Sequence, residues 1–220
     1  MNLNNIDGIL FDMDGTVLDT EGLSENAQIL LLNEYNIEAT HHEVQEFKGL
    51  SYKDFYPRFM AKFKINDDVD TLRTKIRKYL YKSMKNNLEF IKGFEYFYKS
   101  TISRGKYKIG LVTNTTRLTY SQIQKYIHIE KYFKFVITAT ESLKPKPSPS
   151  PYLQAMKSLN LKPSQTLIVE DSKIGLLSAV GSKAQVVGIT TSLSGDQIRS
   201  LNKSIITIST YRELRQLLIN

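Results

Sequence analysis

The chain has 220 residues, which is enough for one large domain or for a core domain with a smaller domain inserted into it. It contains no cysteine, so disulfides and thiolate metal sites are excluded for this sequence. The net charge of +8 is scattered along the chain, which favours solubility and the attraction of small anions over nucleic-acid binding. The first apolar run, residues 9–11, is too short for a signal peptide or a membrane span, and we expect a cytoplasmic protein with no membrane partner.

The first predicted strand, residues 6–11, is followed by a long interval with a helical pattern. From about Val17 to about Phe90 apolar residues recur at helical spacing, and no segment there is convincing as a strand. The pattern predicts a helical insert directly after the first strand. Its two apolar stripes are Leu23, Ala27, Leu30, Leu31 and Tyr35, and Val69, Leu72, Ile76, Tyr79 and Leu80.

Beyond the insert, short apolar segments alternate with helical patterns. Each apolar segment is nearly continuous, as expected for strands that are covered on both faces. Together with the first strand, the alternation predicts an α/β fold whose core is a doubly wound, Rossmann-like parallel sheet with helices on both faces. The further predicted strands are residues 108–113, 133–138, 166–170, 184–189 and 204–209.

Two helices between these strands carry local signals. Residues 148–160 are predicted to form a helix that is capped by Ser150. In the following helix, Ile174, Leu177 and Val180 are predicted to share one apolar face.

Polar side chains follow the predicted strands, either where a strand ends or between a strand and its helix. In an open parallel sheet ligands bind beyond the carboxyl ends of the strands, so these side chains are expected to meet at one edge. The convergence of carboxylate, hydroxyl, amide and lysine groups from four separate segments is hard to explain by a structural role alone. It predicts a reactive site. The residues are Asp12 and Asp14, Thr113 and Asn114, Lys144 and Lys146, and Glu170 and Asp171, after the first to fourth core strands respectively.

The chemistry of these side chains indicates which cation and which reaction the site suits. Carboxylates crowded at one edge repel one another unless a proton or a cation lies among them. With no cysteine and no nearby histidine, the ligands of such a cation are oxygen atoms, which favours Mg²⁺. A magnesium ion and a lysine beside an acidic nucleophile suit phosphoryl transfer, because the charge of the transferring group must be neutralised before an anionic oxygen approaches it.

Four short stretches also resemble the motifs of a known family. They are DMDGT at 12–16, LVTN at 111–114, KPSPSPY at 146–152 and VEDSKIG at 169–175. In this order they resemble the haloacid dehalogenase-like hydrolase superfamily, in the phosphatase branch that has a helical cap and includes proteins similar to phosphoglycolate phosphatase and beta-phosphoglucomutase. The resemblance implies an α/β catalytic core at residues 1–16 and 92–220 and a helical cap domain at residues 17–91.

The activity that this resemblance implies is that of a magnesium-dependent phosphatase. It would hydrolyse a small phosphorylated metabolite through an aspartyl-phosphate intermediate. Asp12 would be the nucleophile, and Asp14 would be the general acid and then the base for the hydrolytic water. Branches that cleave carbon–halogen bonds usually lack the second aspartate, so Asp14 favours phosphate chemistry. No nucleic-acid partner is expected, and we expect a monomer or a weak dimer.

The same resemblance assigns the remaining residues of the site. Lys146 would balance the negative charge between Asp12 and the phosphate, with Lys144 as an alternative that fits the spacing of the prolines less well. Lys146 would also bind the phosphoryl group, together with Gly15, Thr113 and Asn114. The magnesium ligands would be Asp12, the backbone carbonyl of Asp14, Asp171, and Glu170 directly or through water. In the cap, Lys48, Gly49 and Ser51 are candidates for selecting the substrate.

Two alternatives to a phosphatase remain open at this level. A phosphosugar mutase shares the fold and the nucleophile, but mutases usually carry a histidine soon after the first motif, where Ser24 stands near the corresponding place. A non-catalytic basic binding module would keep the fold without the chemistry. The intact set of acid, hydroxyl and lysine residues argues against such a module.

Overall fold

The structure is a computed structural model, and it describes residues 5–47 and 52–219. The chain forms two compact units, one of Met1–Asp19 with Glu89–Asn220 and one of Thr20–Leu88. They are called the larger unit and the smaller unit below. Within the described ranges, no helix is both long enough and apolar enough to cross a membrane.

The larger unit is built on a six-stranded sheet in which all neighbouring strands are parallel. The strands of the described residues, of which all but β2 and β3 belong to this sheet, are β1 (Gly8–Phe11), β2 (Leu18–Asp19), β3 (Glu89–Phe90), β4 (Lys108–Val112), β5 (Val136–Ile137), β6 (Thr166–Glu170), β7 (Gln185–Ile189) and β8 (Ile206–Ile208). The order across the sheet is β5-β4-β1-β6-β7-β8, and β2 pairs with β3 in a separate ribbon. This arrangement confirms the predicted α/β fold with a doubly wound parallel sheet.

The helices divide between the two units. Helices α1 to α4 belong to the smaller unit and α5 to α10 to the larger one. They are α1 (Glu21–Glu34), α2 (His41–Gln45), α3 (Tyr52–Phe63), α4 (Val69–Asn87), α5 (Phe94–Phe97), α6 (Arg117–Ile123), α7 (Ser150–Ser158), α8 (Lys173–Gly181), α9 (Gly195–Leu201) and α10 (Tyr211–Ile219).

Strand β1 is covered on both faces, which explains its continuous apolar sequence. Leu10 lies in a buried cluster with Tyr152 of α7 and Leu176 of α8. Its neighbour Phe11 packs edge-on against Phe94 of α5, with ring centroids 6.1 Å apart. Successive side chains of a strand point to opposite faces, so β1 anchors a helix layer on each side of the sheet.

The strand register brings the functional segments to one edge of the sheet. Phe11 at the end of β1 pairs with Leu111 of β4 and with Val169 of β6. The N–H of Asp12 continues this ladder by donating to the carbonyl of Val169 at 3.0 Å. The residues that follow β1, β4 and β6 therefore leave the sheet side by side.

Apart from shifts of one or two residues at strand ends, two strand predictions differ from the structure. The strand expected at 133–138 is limited to Val136–Ile137, because it lies at the sheet edge and Phe133 instead packs its ring 5.7 Å from that of Phe11. The interval expected to lack strands contains β2 and β3, which pair antiparallel. Strands of two residues are too short to produce a detectable periodicity.

Two helix predictions are also wrong in detail. The N-cap of α7 is Pro149, so Ser150 is the first helical residue rather than the cap. In α8, Ile174 and Leu177 are 40% and 41% exposed. The buried face instead contains Gly175, whose lack of a side chain allows the helix to approach the sheet closely.

The described part of the smaller unit has a core between its helices, as the periodicity predicts. Leu31 and Leu32 of α1, Phe59 of α3 and Leu72 of α4 are buried together. Val69, predicted in the apolar stripe of α4, is 37% exposed because it is the first residue of that helix.

Candidate active site

Lys146 lies between β5 and α7, and only 2% of its side chain is exposed. Its Nζ donates to Asp12 Oδ1 and to Glu170 Oε1, both at 2.6 Å. A third hydrogen bond joins Nζ to the carbonyl of Val112 at 2.7 Å. Lys144 is exposed. Of the two candidate lysines, Lys146 is therefore the one that reaches the tips of β1, β4 and β6.

Asn114 fixes the backbone of this lysine. Its Nδ2 donates to the carbonyl of Lys146, and its Oδ1 accepts from the Lys146 N–H, both at 3.0 Å. These contacts place the lysine and use one of the two N–H donors of the Asn114 amide. The predicted hydrogen bond from Asn114 to a phosphoryl group stays a prediction.

Glu170 ends β6 and is fully buried. Its Oε1 accepts from Lys146 and also from the hydroxyl of Tyr152 at 2.7 Å. Its Oε2 accepts from the N–H groups of Asp171 and Ser172 at 3.2 and 3.4 Å. Because donors from the protein engage both oxygens, Glu170 is better suited to hold Lys146 than to bind a metal ion directly.

Gly175 of α8 faces the carboxylate of Glu170, and a Cβ there would lie 2.0 Å from its atoms. We expect Gly175→Ala to lower the free energy of unfolding by about 1–3 kcal/mol, the usual cost of overpacking, as measured by urea denaturation. Activity should fall as well, because a displaced Glu170 displaces Lys146. Gly22→Ala is the matched control, since nothing lies within 4 Å of its added Cβ. Equal stability losses in the two variants would contradict this expectation.

Asp171 is held close to the turn that follows Asp14. Gly15 has a φ of +76°, and a Cβ there would lie 2.1 Å from Asp171 Oδ2, so conformation and space both require glycine. The hydroxyl of Thr16 donates to Asp171 Oδ1 at 3.4 Å. The hydroxyl of Ser192, in the loop after β7, donates to Asp171 Oδ2.

Asp14 lies beside the residues that follow β4. Its Oδ2 accepts hydrogen bonds from the hydroxyls of Thr113 at 3.2 Å and Thr115 at 2.8 Å. Thr113 is almost completely buried. The structure therefore brings Asp14 and Thr113 together, and it adds Thr115 to the site.

The electrostatics of the cluster reflect its burial. Burial raises the pKa of Asp12 well above its usual range, and repulsion from Glu170 adds to the rise while Lys146 opposes it. Burial, followed by the charge of Glu170, raises the pKa of Asp171 to about 7. For Lys146, burial acts to lower the pKa, but the carboxylates of Asp12 and Glu170 outweigh it and the net change is a rise. One ammonium group does not neutralise these buried acids.

This donor set fits a divalent cation. Asp12, Glu170 and Asp171 are buried, and each offers an oxygen within 4.8 Å of the others. Three carboxylates against one lysine leave an excess of negative charge that is costly in a buried site. Oxygen donors of this kind suit Mg²⁺. Asp12 and Asp171 are the better candidates for direct ligands, because Glu170 is occupied by Lys146, Tyr152 and backbone donors.

The candidates for substrate selection in the predicted cap, Lys48, Gly49 and Ser51, lie outside the described residues. The functional interpretation of the sequence lacks four residues that are described above at the site, which are Thr16, Tyr152, Thr115 and Ser192. Tyr152 closes the stretch KPSPSPY and Thr115 follows LVTN directly, so each had a sequence signal beside a recognised motif. Ser192 had none, because its loop has no motif.

Comparisons with known proteins agree with this geometry. The family model described as haloacid dehalogenase-like hydrolase matches residues 9–189. Pyrophosphatase PpaX of Bacillus mycoides is 26% identical over 193 residues, which cover 86% of this chain and 86% of the relative. The phosphorylated carbohydrates phosphatase of Thermotoga maritima is 24% identical over 194 residues, covering 86% of this chain and 88% of the relative. A crystal structure from Thermotoga maritima, provisionally described as a beta-phosphoglucomutase, has a TM-score of 0.84 at 22% identity and covers 97% of this chain and 98% of that one.

The family match covers most of the chain, so the chain belongs to the haloacid dehalogenase-like hydrolase family. It is an enzyme of this hydrolase family, as its motifs predict. The likeness to the Thermotoga maritima crystal structure shows the fold, since the two sequences are only 22% identical.

Proposed function

We propose that the chain is a magnesium-dependent phosphatase that hydrolyses a small phosphorylated metabolite through an aspartyl-phosphate intermediate. The observation that carries this proposal is the buried contact of 2.6 Å between Lys146 Nζ and Asp12 Oδ1 inside the acidic cluster. A lysine in this position lowers the repulsion that an anionic phosphate group meets as it approaches the Asp12 carboxylate. The names of the two curated relatives, a pyrophosphatase and a phosphatase, support phosphate as the reacting group.

Asp12 is proposed as the nucleophile in the first step. Its carboxylate oxygen forms a bond to phosphorus while the bond from phosphorus to the leaving oxygen breaks, and Asp14 gives that oxygen a proton. In the second step Asp14 takes a proton from water, the water oxygen bonds to phosphorus, and the bond to Asp12 breaks. The products are the alcohol and inorganic phosphate. Asp12 is only 7% exposed, which limits competing water before the first step.

The neighbouring residues hold this pair in place. Lys146 is proposed to balance the negative charge between Asp12 and the phosphoryl group, with Glu170 and Asn114 fixing its side chain and backbone. Its three N–H donors are in use, so a direct bond to a phosphoryl oxygen would replace one of these hydrogen bonds. Thr113 is proposed to donate a hydrogen bond to the phosphoryl group. The N–H of Gly15 donates to the carbonyl of Leu18 at 2.8 Å, so Gly15 is proposed to shape the turn rather than to bind the phosphate through this N–H.

Magnesium would be held by Asp12, Asp171 and the backbone carbonyl of Asp14, and Glu170 would act mainly through Lys146. When bound, the ion neutralises charge on the transferring phosphoryl group. The helical insert, with proposed bounds 17–91, is assigned the role of a cap that selects the organic part of the substrate.

A panel of phosphorylated metabolites, assayed with and without Mg²⁺, tests the proposed activity. The panel should contain inorganic pyrophosphate and phosphorylated carbohydrates, because the curated relatives are named for these compounds. We expect release of inorganic phosphate from at least one compound, and loss of that release when a chelator removes the metal. Turnover that requires a sugar bisphosphate would indicate the mutase instead. No release from any compound would overturn the proposal.

Asp171→Asn is expected to weaken magnesium activation. Loss of a buried anionic ligand should raise the Mg²⁺ concentration for half-maximal activity by at least about tenfold. Asp196→Asn is the control, since that side chain is 94% exposed on α9. An unchanged magnesium dependence in Asp171→Asn would contradict the assignment of this residue to the metal.

A further inference from the structure

Two hydroxyl groups converge on one oxygen of Asp14. Thr115 Oγ1 donates to Asp14 Oδ2 at 2.8 Å, and Thr113 Oγ1 donates to the same atom at 3.2 Å. The backbone N–H of Thr115 also donates to Thr113 Oγ1 at 2.9 Å. The three residues form a small closed network at the end of β4.

The number of hydroxyl protons available for hydrogen bonds indicates different roles for Thr113 and Thr115. A threonine hydroxyl has one proton to donate. Thr113 uses its proton on Asp14, so the proposed hydrogen bond from Thr113 to a phosphoryl oxygen requires that it release Asp14. Thr115 makes the shorter bond to Asp14 and has no assigned role toward the phosphate. When Thr113 turns to the phosphate, Thr115 keeps Asp14 in place.

The backbone of Thr115 is itself fixed. Its N–H donates to Thr113 Oγ1, and its carbonyl accepts from the N–H of Ala139 after β5 at 3.0 Å. A donor on an anchored backbone can hold the carboxyl group of Asp14 in one rotation. The general acid must be positioned closely, because a displacement of about 1 Å can cost about 10²-fold in rate.

We propose that Thr115 is a positioning residue for Asp14, holding Oδ2 so that the carboxyl group is aimed at the leaving oxygen while Thr113 is released to the phosphoryl group. This inference rests on the proposed phosphatase function. It assigns to Thr115 an effect on proton transfer to the leaving group, separate from binding of the phosphate.

The test is a series of phosphate monoesters with leaving groups of graded basicity, measured as kcat/KM for formation of the phosphoenzyme. An alkyl phosphate depends on protonation of its leaving oxygen, whereas 4-nitrophenyl phosphate depends on it little. Thr115→Val keeps the shape of the side chain and removes the hydroxyl. We expect it to lower kcat/KM for the alkyl phosphate by about 10²-fold, with a much smaller loss for 4-nitrophenyl phosphate. Thr115→Ser should restore most of the alkyl phosphate activity.

Thr116→Val is the matched control. Thr116 is exposed, and its hydroxyl accepts from the N–H of Thr119 at the start of α6 rather than contacting Asp14. This variant should unfold at a slightly lower temperature because it loses the helix cap, with no change in leaving-group dependence. If Thr115→Val folds poorly, Thr115→Ala gives the same comparison with a smaller side chain.

The outcomes distinguish a failure of the proposed role of Thr115 from a failure of the proposed phosphatase function. If the wild type hydrolyses phosphate esters but Thr115→Val loses equal activity on every leaving group, or none, the role of Thr115 is overturned and the phosphatase stands. If the wild type hydrolyses neither these esters nor any compound of the metabolite panel, the phosphatase proposal fails and the role of Thr115 fails with it.

Discussion

Asp12→Asn is expected to abolish turnover while the protein stays folded. The amide has the shape of the carboxylate but is a poor nucleophile, so the bond to phosphorus does not form. A loss of about 10⁴-fold or more in kcat is the scale seen when a covalent nucleophile is removed. The measurement is release of inorganic phosphate from the best substrate of the panel, together with a thermal unfolding curve.

The substitution Asp12→Asn is also expected to leave the stability of the folded protein unchanged or to raise it. Burial and the charge of Glu170 raise the pKa of Asp12, which means that its ionised form is disfavoured in the folded protein without a bound cation. Removing this charge leaves Lys146 paired with Glu170 at 2.6 Å. The variant should therefore unfold at the same temperature as the wild type, or a higher one, in the presence of a chelator.

Asp19→Asn is the control for this substitution. Asp19 is an exposed residue of β2 in the same segment of the chain. It should keep wild-type activity. Substantial residual turnover in Asp12→Asn, after contamination by wild-type enzyme is excluded, would reject Asp12 as the attacking group.

Lys146→Met is expected to damage both activity and stability. Methionine fills a similar volume but leaves the carboxylates of Asp12 and Glu170 buried without their shared ammonium group. Removing one partner of a buried ion pair typically costs about 3–5 kcal/mol, because the remaining charge is uncompensated. Chemical denaturation in the presence of a chelator measures this loss without an offset from bound cations.

A double variant separates the structural and chemical roles of the lysine. Adding Glu170→Gln to Lys146→Met removes one of the two stranded charges, so it should recover part of the lost stability. It should recover no activity, because no ammonium group faces Asp12. Recovery of turnover in the double variant would show that Lys146 acts only by balancing Glu170.

Lys144→Met is the matched control, two residues earlier in the same KPKP stretch. Its side chain is exposed, so both stability and activity should remain near the wild type. A loss of activity equal to that of Lys146→Met would contradict the assignment of the catalytic role to Lys146 alone.

The tips of the central strands could be predicted because simple rules govern them. The ends of parallel strands meet at one edge, and acids directly after apolar strands, or a lysine between a strand and the next helix, are conspicuous in the sequence. Asp12, Lys146 and Asp171 follow from that pattern, and the structure places them within one buried cluster. The spacing of the prolines already favoured Lys146 over Lys144, and the burial of Lys146 beside Asp12 agrees with that choice.

Other contacts depend on how helices are placed on the sheet. Tyr152 fits the apolar face of α7 by its periodicity, but its hydrogen bond to Glu170 arises only once α7 is docked beside β6. The exposure of Ile174 and Leu177 follows from the close approach at Gly175, where tertiary packing overrides the apolar stripe. Thr115 stands in a run of threonines, and only coordinates show which hydroxyl reaches Asp14.

The short ribbon of β2 and β3 has a consequence for how such enzymes diversify. Leu18 pairs with Phe90 and Asp19 with Glu89, so the points where the chain departs from the larger unit and returns to it are neighbours. Joining two adjacent backbone positions requires only a tight turn, and the cost of closing a longer loop grows slowly with its length. The segment between them can thus be exchanged, lengthened or shortened during evolution without altering the strand order that brings Asp12, Lys146 and Asp171 together.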